Sequence, residues 1–154
     1  MKLDLKGLGP EGKTFEGEEP ASILGLEEIR DIRASSPIRY RVTACIVDHE
    51  LIVRGWAATA VTLQCSRCAE FYDLPLPRVA VQYAGEVEAG SESADLTQEL
   101  RETILVAFPS YPVCREQCKG LCVHCGANFN VTTCRCRPPA ESRWDMLDGV
   151  NLDR

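Results

Sequence analysis

The sequence predicts an α+β fold. It combines a mainly antiparallel β-sheet, one helix at about 95–108 packed on it, and a C-terminal segment that needs crosslinking to take a shape. Three observations predict this. Residues 38–63 read as two strands around a polar turn. An apolar stripe at helical spacing follows an acidic loop. Beyond Pro112 apolar periodicity stops and cysteines crowd the chain.

The elements follow in order. Gly9-Pro10-Glu11-Gly12 is a strong turn signal between two short extended segments, 2–8 and 12–19. Residues 21–33 carry weak helical spacing through Ile23, Leu26, Ile29 and Arg30, interrupted by Gly25, so a short helix is expected there. Ile38, Tyr40, Val42 and Ala44 alternate with Arg39, Arg41 and Thr43, the period of a strand with one buried face. Residues 51–63 are rich in β-branched and small side chains, and Asp48-His49-Glu50 separates the two arms. Residues 71–83 are expected as a third strand, at an edge or broken, because Pro75 and Pro77 cannot donate to a ladder. Residues 84–94 form an acidic, small-residue loop without core-forming side chains. Asp95 then stands as an N-cap, with Gln98 three residues on as a capping-box variant. Leu96, Leu100, Ile104, Ala107 and Phe108 make the buried stripe, and Pro109 ends the helix. The chain thus divides into an α+β domain over 1–110 and a cysteine-rich segment over 111–154 packed on it.

Composition sets the class. The chain has 154 residues, 45% hydrophobic and 26% charged, which excludes a mostly disordered or collagen-like protein. No apolar run approaches the roughly 20 residues of a membrane helix. Met1-Lys2-Leu3-Asp4-Leu5-Lys6 alternates charge too closely for a signal peptide, so a cytoplasmic protein is expected. The net charge of −6 argues against a simple basic coat for nucleic acid.

Nine cysteines are many for a reducing compartment, where spaced pairs read as metal ligands before they read as bridges. Eight fall in four pairs: Cys65 and Cys68, Cys114 and Cys118, Cys122 and Cys125, Cys134 and Cys136. Each pair can offer two thiolates from one tight turn, half of a tetrahedral zinc site. Two Zn²⁺ in closed four-cysteine sites are therefore expected. The C-terminal four are close enough in sequence to form one site, leaving Cys65, Cys68, Cys114 and Cys118 for the other; an interleaved arrangement also satisfies the spacing. Gly126, directly after Cys125, can take the positive φ that lets backbone N–H groups point at sulfur. Cys45 is left over and reads as a small core residue. Arg115, Lys119, Arg135 and Arg137 flank the pairs, where they can offset thiolate charge or contact phosphate.

These motifs carry a family resemblance. Cys65-Ser66-Arg67-Cys68-Ala69-Glu70-Phe71 resembles the cysteine knuckle of the bacterial YceD proteins, described as large-subunit ribosomal RNA accumulation proteins. The stretch from Asp95-Leu96 to Phe108-Pro109 is similar to that family's helix and terminating proline. Cys118-Lys119-Gly120-Leu121-Cys122, Cys125 to Asn130 and Cys134-Arg135-Cys136 are similar to its C-terminal cysteine module. Ser142-Arg143-Trp144 to Leu147 is similar to its closing Arg-Trp-x-x-Leu. Ala69 departs where leucine is usual, Val123 where proline is common, and Glu141-Ser142 where Asp-Pro is common; no ligand is lost. The resemblance implies a factor in large-subunit (23S) ribosomal RNA synthesis, processing or stability, without catalysis.

Other classes fit less well. Redox cysteine pairs sit at a helix N-terminus, whereas Cys65 and Cys68 end a β-arm, which counts against a thiol oxidoreductase. A catalytic zinc usually takes histidine ligands and keeps a position open for water, and only His49 and His124 are present. No small-molecule substrate and no membrane partner are expected. The expected partner is ribosomal RNA or a ribosome-assembly protein, and the acidic loop suits a basic protein. If RNA is touched directly, the candidates are Arg41, Arg54 and Trp56 on the hairpin, beside Arg39, together with Arg67, Lys119, Arg135 and Arg137. A two-residue turn at Asp48-His49 would place Arg41 across from Trp56 and bring Arg39, Arg41, Arg54 and Trp56 to one face; a three-residue turn would separate them.

Overall fold

The computed structural model describes residues 1–34, 36–88 and 90–136. Among them run β1 (Lys2–Asp4), β2 (Lys13–Glu19), β3 (Ile32–Ala34), β4 (Ile38–Val47), β5 (Glu50–Gln64), β6 (Phe71–Glu86), β7 (Ser93–Asp95) and α1 (Thr97–Val106). The architecture is the expected one, a mainly antiparallel sheet with a helix against it.

The β4–β5 hairpin sets the geometry of everything else. Val47 pairs with Glu50, so Asp48 and His49 alone make the turn. Both carry positive φ, 49° and 69°, the type I′ conformation whose twist matches that of the strands. The two-residue turn puts Arg41 opposite Trp56 and Thr43 opposite Arg54. Farther along, the strands cross closely at Gly55. A Cβ there would meet the Arg41 carbonyl oxygen and the Val42 Cα, so glycine is required.

β2 pairs with β4 on its far side. β3 continues along the same edge of β5 beyond the end of β4, and β6 follows the opposite edge from Glu50 to Gln64. Among the described residues β6 is an edge strand, which suits its prolines. It is also bulged: Ala57 faces Val79 and Thr59 faces Leu76, so Ala58 meets both Pro77 and Arg78. The bulge changes the parity of β6. Val79, Val81 and Tyr83 turn toward the core on one side of it, and Tyr72, Leu74 and Leu76 on the other.

The core lies between this face of the sheet and α1. Val42, Val53, Ala57 and Val81 meet Leu96, Leu100 and Ile104, and the two-stranded β1–β7 sheet adds Leu3. The Met1 ammonium pairs with Glu19 at 2.9 Å and donates to Thr97 Oγ1, fixing β1 beside the start of α1.

Several expectations are corrected. Residues 21–33 hold a 3-10 turn at Ala21–Leu24 and then β3, not an α-helix; Gly25 ends the turn at φ 64°. The acidic loop is shorter than 84–94, because β6 reaches Glu86 and β7 begins at Ser93. Leu96, not Asp95, is the N-cap of α1, without a side-chain cap; Asp95 precedes it and accepts the Thr97 N–H at 3.0 Å and its hydroxyl at 2.6 Å. Gln98 does not close a capping box; it donates to Glu102 at 2.7 Å. Cys45 is half-buried on the outer face opposite Ile52, since Ala44 takes the inward position beside it. No helix among the described residues is long and apolar enough to cross a membrane.

Candidate metal centres and the outer face of the sheet

The eight paired cysteines form two groups, Cys65, Cys68, Cys114 and Cys118, and Cys122, Cys125, Cys134 and Cys136. Within each group the four sulfurs lie within 4.8 Å of one another. The first group staples the end of the β5–β6 hairpin to the segment after α1. Cys65 and Cys68 occupy the turn between Gln64 and Phe71, which pair across the strand ends. The Ser66 N–H donates to the Pro112 carbonyl at 2.8 Å and delivers Cys114 beside them.

The two knuckles share one hydrogen-bond pattern. Cys65 O accepts from Ala69 N–H at 2.9 Å, and Cys65 N–H donates to Glu70 O at 2.9 Å. Cys122 O accepts from Gly126 N–H at 2.9 Å, and Cys122 N–H donates to Ala127 O at 2.8 Å. The residue after the second ligand is left-handed in both, with φ 58° at Ala69 and 70° at Gly126. In the first quartet the N–H groups of Arg67 and Cys114 each donate to Cys65 Sγ at 3.4 Å.

The donor set fits a tetrahedral ion. Cys65 and Cys118 sulfurs are 3.8 Å apart, as are those of Cys68 and Cys114. Four sulfurs at about 2.3 Å from one centre stand about 3.8 Å from each other. Electrostatics point the same way. Burial pushes Cys65 up, but the backbone N–H groups of Cys114, Cys68 and Arg67 and the Cys68 thiol outweigh it and hold it down at about 6. Burial and the thiols of Cys65, Cys118 and Cys68 push Cys114 up to about 12. In the second quartet the N–H groups of Cys125 and His124 hold Cys122 down at about 6. The Cys125 thiol, with burial, pushes Cys136 up to about 12. Four thiolates this close ionise together only with a cation among them. The first quartet is largely buried, while Cys125 and Cys136 of the second are exposed.

Asn130 joins the two groups, although its loop belongs to the second. Its Nδ2 donates to Cys118 Sγ at 3.4 Å and to Asn128 Oδ1 at 2.8 Å. Its Oδ1 accepts from Lys119 N–H at 3.0 Å and from Arg115 at 2.8 Å. Phe129 N–H donates to Gly120 O at 2.9 Å beside it. Sequence reasoning missed this residue; two asparagines flanking a phenylalanine between ligand pairs were the available signal.

The candidate RNA contacts divide. Arg39, Arg41, Arg54 and Trp56 share the outer face of the sheet, as the two-residue turn requires. Arg41 is not free of acid: its Nε pairs with Glu16 at 2.8 Å, and Glu18 lies opposite Arg39 across β2. Arg54 is exposed, between Thr43 and Gln82. The cation over Trp56 is Arg78, 5.5 Å from the ring, carried there by the bulge. No periodicity argument could place Arg78, because the bulge changes which face it occupies. Arg67 is a structural tie, donating to the carbonyls of Glu116 and Cys118 at 3.1 and 3.3 Å. The side chains of Lys119 and Arg135 are exposed beside the quartets. Arg137 and the Ser142–Leu147 motif lie outside the described residues.

Residues 81–150 match the family model described as Large ribosomal RNA subunit accumulation protein YceD. That match covers less than half of the chain. A maize protein named Large ribosomal RNA subunit accumulation protein YCED homolog 1, chloroplastic, is 36% identical over 63 residues, 40% of this chain and 22% of the relative. The Arabidopsis thaliana protein of the same name is 23% identical over 87% of this chain and 55% of its own length. An uncharacterized protein of Mycobacterium tuberculosis strain H37Rv is 29% identical over 96% of this chain and 79% of its own. The chain thus spans little more than half of the longer plant match. No solved structure matches it. The YceD match begins in β6 and takes in α1, Cys114, Cys118 and the whole second quartet, so the first quartet is completed from outside it by Cys65 and Cys68.

Proposed function

We propose that this chain is a non-enzymatic, zinc-bound factor of the cytoplasm that promotes synthesis, processing or stability of large-subunit (23S) ribosomal RNA. The observation that carries the reading is the family match over 81–150, shared with plant relatives named for that same accumulation. Zinc follows from the donor set. Four thiolates around one centre suit it, and a closed set of four leaves no position for a reacting water. Cys65 and Cys68 sit in a hairpin turn, without the helix N-terminus that lowers the pKa of redox thiols, which supports a structural role.

The test is a clean deletion followed by quantification of mature ribosomal RNAs. The large-subunit RNA should fall relative to the small-subunit RNA. An unchanged ratio would sink the reading.

Direct RNA contact would use Arg41, Arg54 and Trp56 on the outer face, with Arg67, Lys119, Arg135 and Arg137 around the metal centres. A ribosomal or assembly protein as the partner is the second reading. It is favoured by Glu16 and Glu18, which face Arg41 and Arg39 and make that part of the surface mixed in charge. Crosslinking in cells, with identification of the crosslinked peptide and its partner, separates RNA from protein.

A further inference from the structure

β6 has one partner, β5, among the described residues, so its other edge presents unpaired backbone groups. Which residues point there follows from two hydrogen bonds. Val87 N–H donates to His49 O at 2.9 Å. By the alternation of an antiparallel ladder, Gly85, Tyr83, Val81 and Val79 then bond toward β5, and Ala80, Gln82, Ala84 and Glu86 point away. Cys65 N–H donates to Glu70 O at the other end. Beyond the bulge, Tyr72, Leu74 and Leu76 therefore bond inward, and Phe71, Asp73, Pro75 and Pro77 point away.

The two halves of this edge differ in kind. The first half puts two prolines at outward positions, where they remove the donors that another strand would use. The second half has none. From Val79 to Gly85 it carries no charge, no proline and no bulge. Proteins guard such edges when they are to stay alone. Beside it, a groove between β6 and α1 is lined by Val79, Ala80, Glu102, Thr103, Val106 and Ala107. Val106 is 85% exposed there, at the end of an otherwise amphipathic helix.

We propose that the 78–86 stretch of β6 pairs with the same stretch of a second copy of this chain, antiparallel and centred on Gln82. That register is self-complementary. Ala80 faces Ala84 of the copy, Gln82 faces Gln82, and Val81 faces Tyr83 on the core side. On the outer side Arg78 of each chain faces Glu86 of the other, giving two equivalent opposite-charge pairs around the dyad. The charges select this alignment. A shift of two residues either way takes Arg78 to Ala84, or to Glu88 beyond the strand. The two sheets become one continuous sheet with both helices on the same side. The pairing uses no metal-site cysteine and does not rest on the proposed function, but it shares one group with the outer face: the Arg78 guanidinium that lies over Trp56 would turn to Glu86 of the copy.

The test is sedimentation velocity of the full, metal-loaded chain over a wide concentration range. The expected mass is twice the 17.0 kDa of one chain. Gln82→Pro removes an outward donor without touching the β5 ladder and should give a monomer with unchanged far-ultraviolet circular dichroism. Glu86→Arg places like charges at both Arg78 contacts and should raise the dissociation constant by about tenfold or more. It also faces Glu50 within its own chain, so folding is not put at risk. Adding Arg78→Glu should restore the dimer. A wild-type monomer throughout, or a dimer indifferent to Gln82→Pro and to the charge reversal, would overturn the proposal; the edge would then be bare or covered by residues 137–154.

Discussion

Asn130 reaches out of the loop between Cys125 and Cys134 and donates its amide to the sulfur of Cys118 in the other quartet, at 3.4 Å. Its orientation is fixed, because the Lys119 N–H and the Arg115 guanidinium on Oδ1 can only donate. The two cysteine quartets are therefore joined by one side chain.

Asn130→Asp keeps the acceptor for Lys119 and Arg115 but replaces the donor with negative charge beside Cys118. Metal should leave the first quartet about tenfold faster or more, while the second quartet keeps its rate. Release into a chromophoric chelator, followed in wild type and in variants lacking one second-quartet ligand, checks this. Equal rates in wild type and variant would deny Asn130 this role.

Metal content should be about two ions per chain, held as two closed sites. Cys68→Ser should lower it to about one, and Cys45→Ser should leave it unchanged, since Cys45 lies on the outer face and belongs to neither quartet. On chelation, amide exchange should speed up across 112–136 and change far less in β4 and β5, whose order rests on the apolar core. Elemental analysis and exchange mass spectrometry are the measurements.

For RNA binding, the Arg41–Glu16 pair makes the two hairpin arginines unequal. Arg54→Ala should reduce the salt slope more than Arg41→Ala, because a guanidinium already facing a carboxylate releases fewer counterions when it meets phosphate. Trp56→Ala should weaken binding by about 1–3 kcal/mol at every salt concentration if a base stacks there. Filter binding across a salt series, with circular dichroism in parallel, distinguishes these effects. Three folded variants binding like wild type would turn attention to a protein partner.

Acid should act through Asp95. The hydroxyl and N–H of Thr97 hold its carboxyl below the usual carboxylate range, with a smaller contribution from the Met1 ammonium. A carboxyl lowered in the folded state adds stability that is present above its unfolded pKa, about 3.9, and is lost as pH falls through the folded value. Asp95→Asn should thus be less stable than wild type at neutral pH and lose less on acidification to about pH 3. Urea midpoints of metal-loaded protein at intervals from neutral to acid pH would show it.

Much of this was legible in the residues. Alternation gave β4, β-branched and small residues gave β5, Pro75 and Pro77 marked β6 as an edge or broken strand, and the 96–104 apolar stripe placed the helix. Cysteine spacing favoured the quartets that form. What was hidden is non-local. The 3-10 turn and β3 replace an expected helix because residues 32–34 find a free stretch of β5 edge, which no local pattern reveals. Arg78 comes over Trp56 through a bulge. Ala69 takes a left-handed φ that glycine takes in the second knuckle, so composition did not announce it. Asn130 is recognisable only once Cys118 lies beside it.

The position of the first quartet has a thermodynamic consequence. An ion bound by Cys65, Cys68, Cys114 and Cys118 closes a chain loop from Cys68 to Cys114 that contains all of β6, β7 and α1. It therefore restricts the unfolded chain as a disulfide would, by about 4 kcal/mol in the chain-entropy description. With the ion bound, the sheet and helix would gain that stability although no ligand sulfur belongs to the cluster packed between them. Loss of the ion would leave the native contacts of the core in place and make the open chain more favourable.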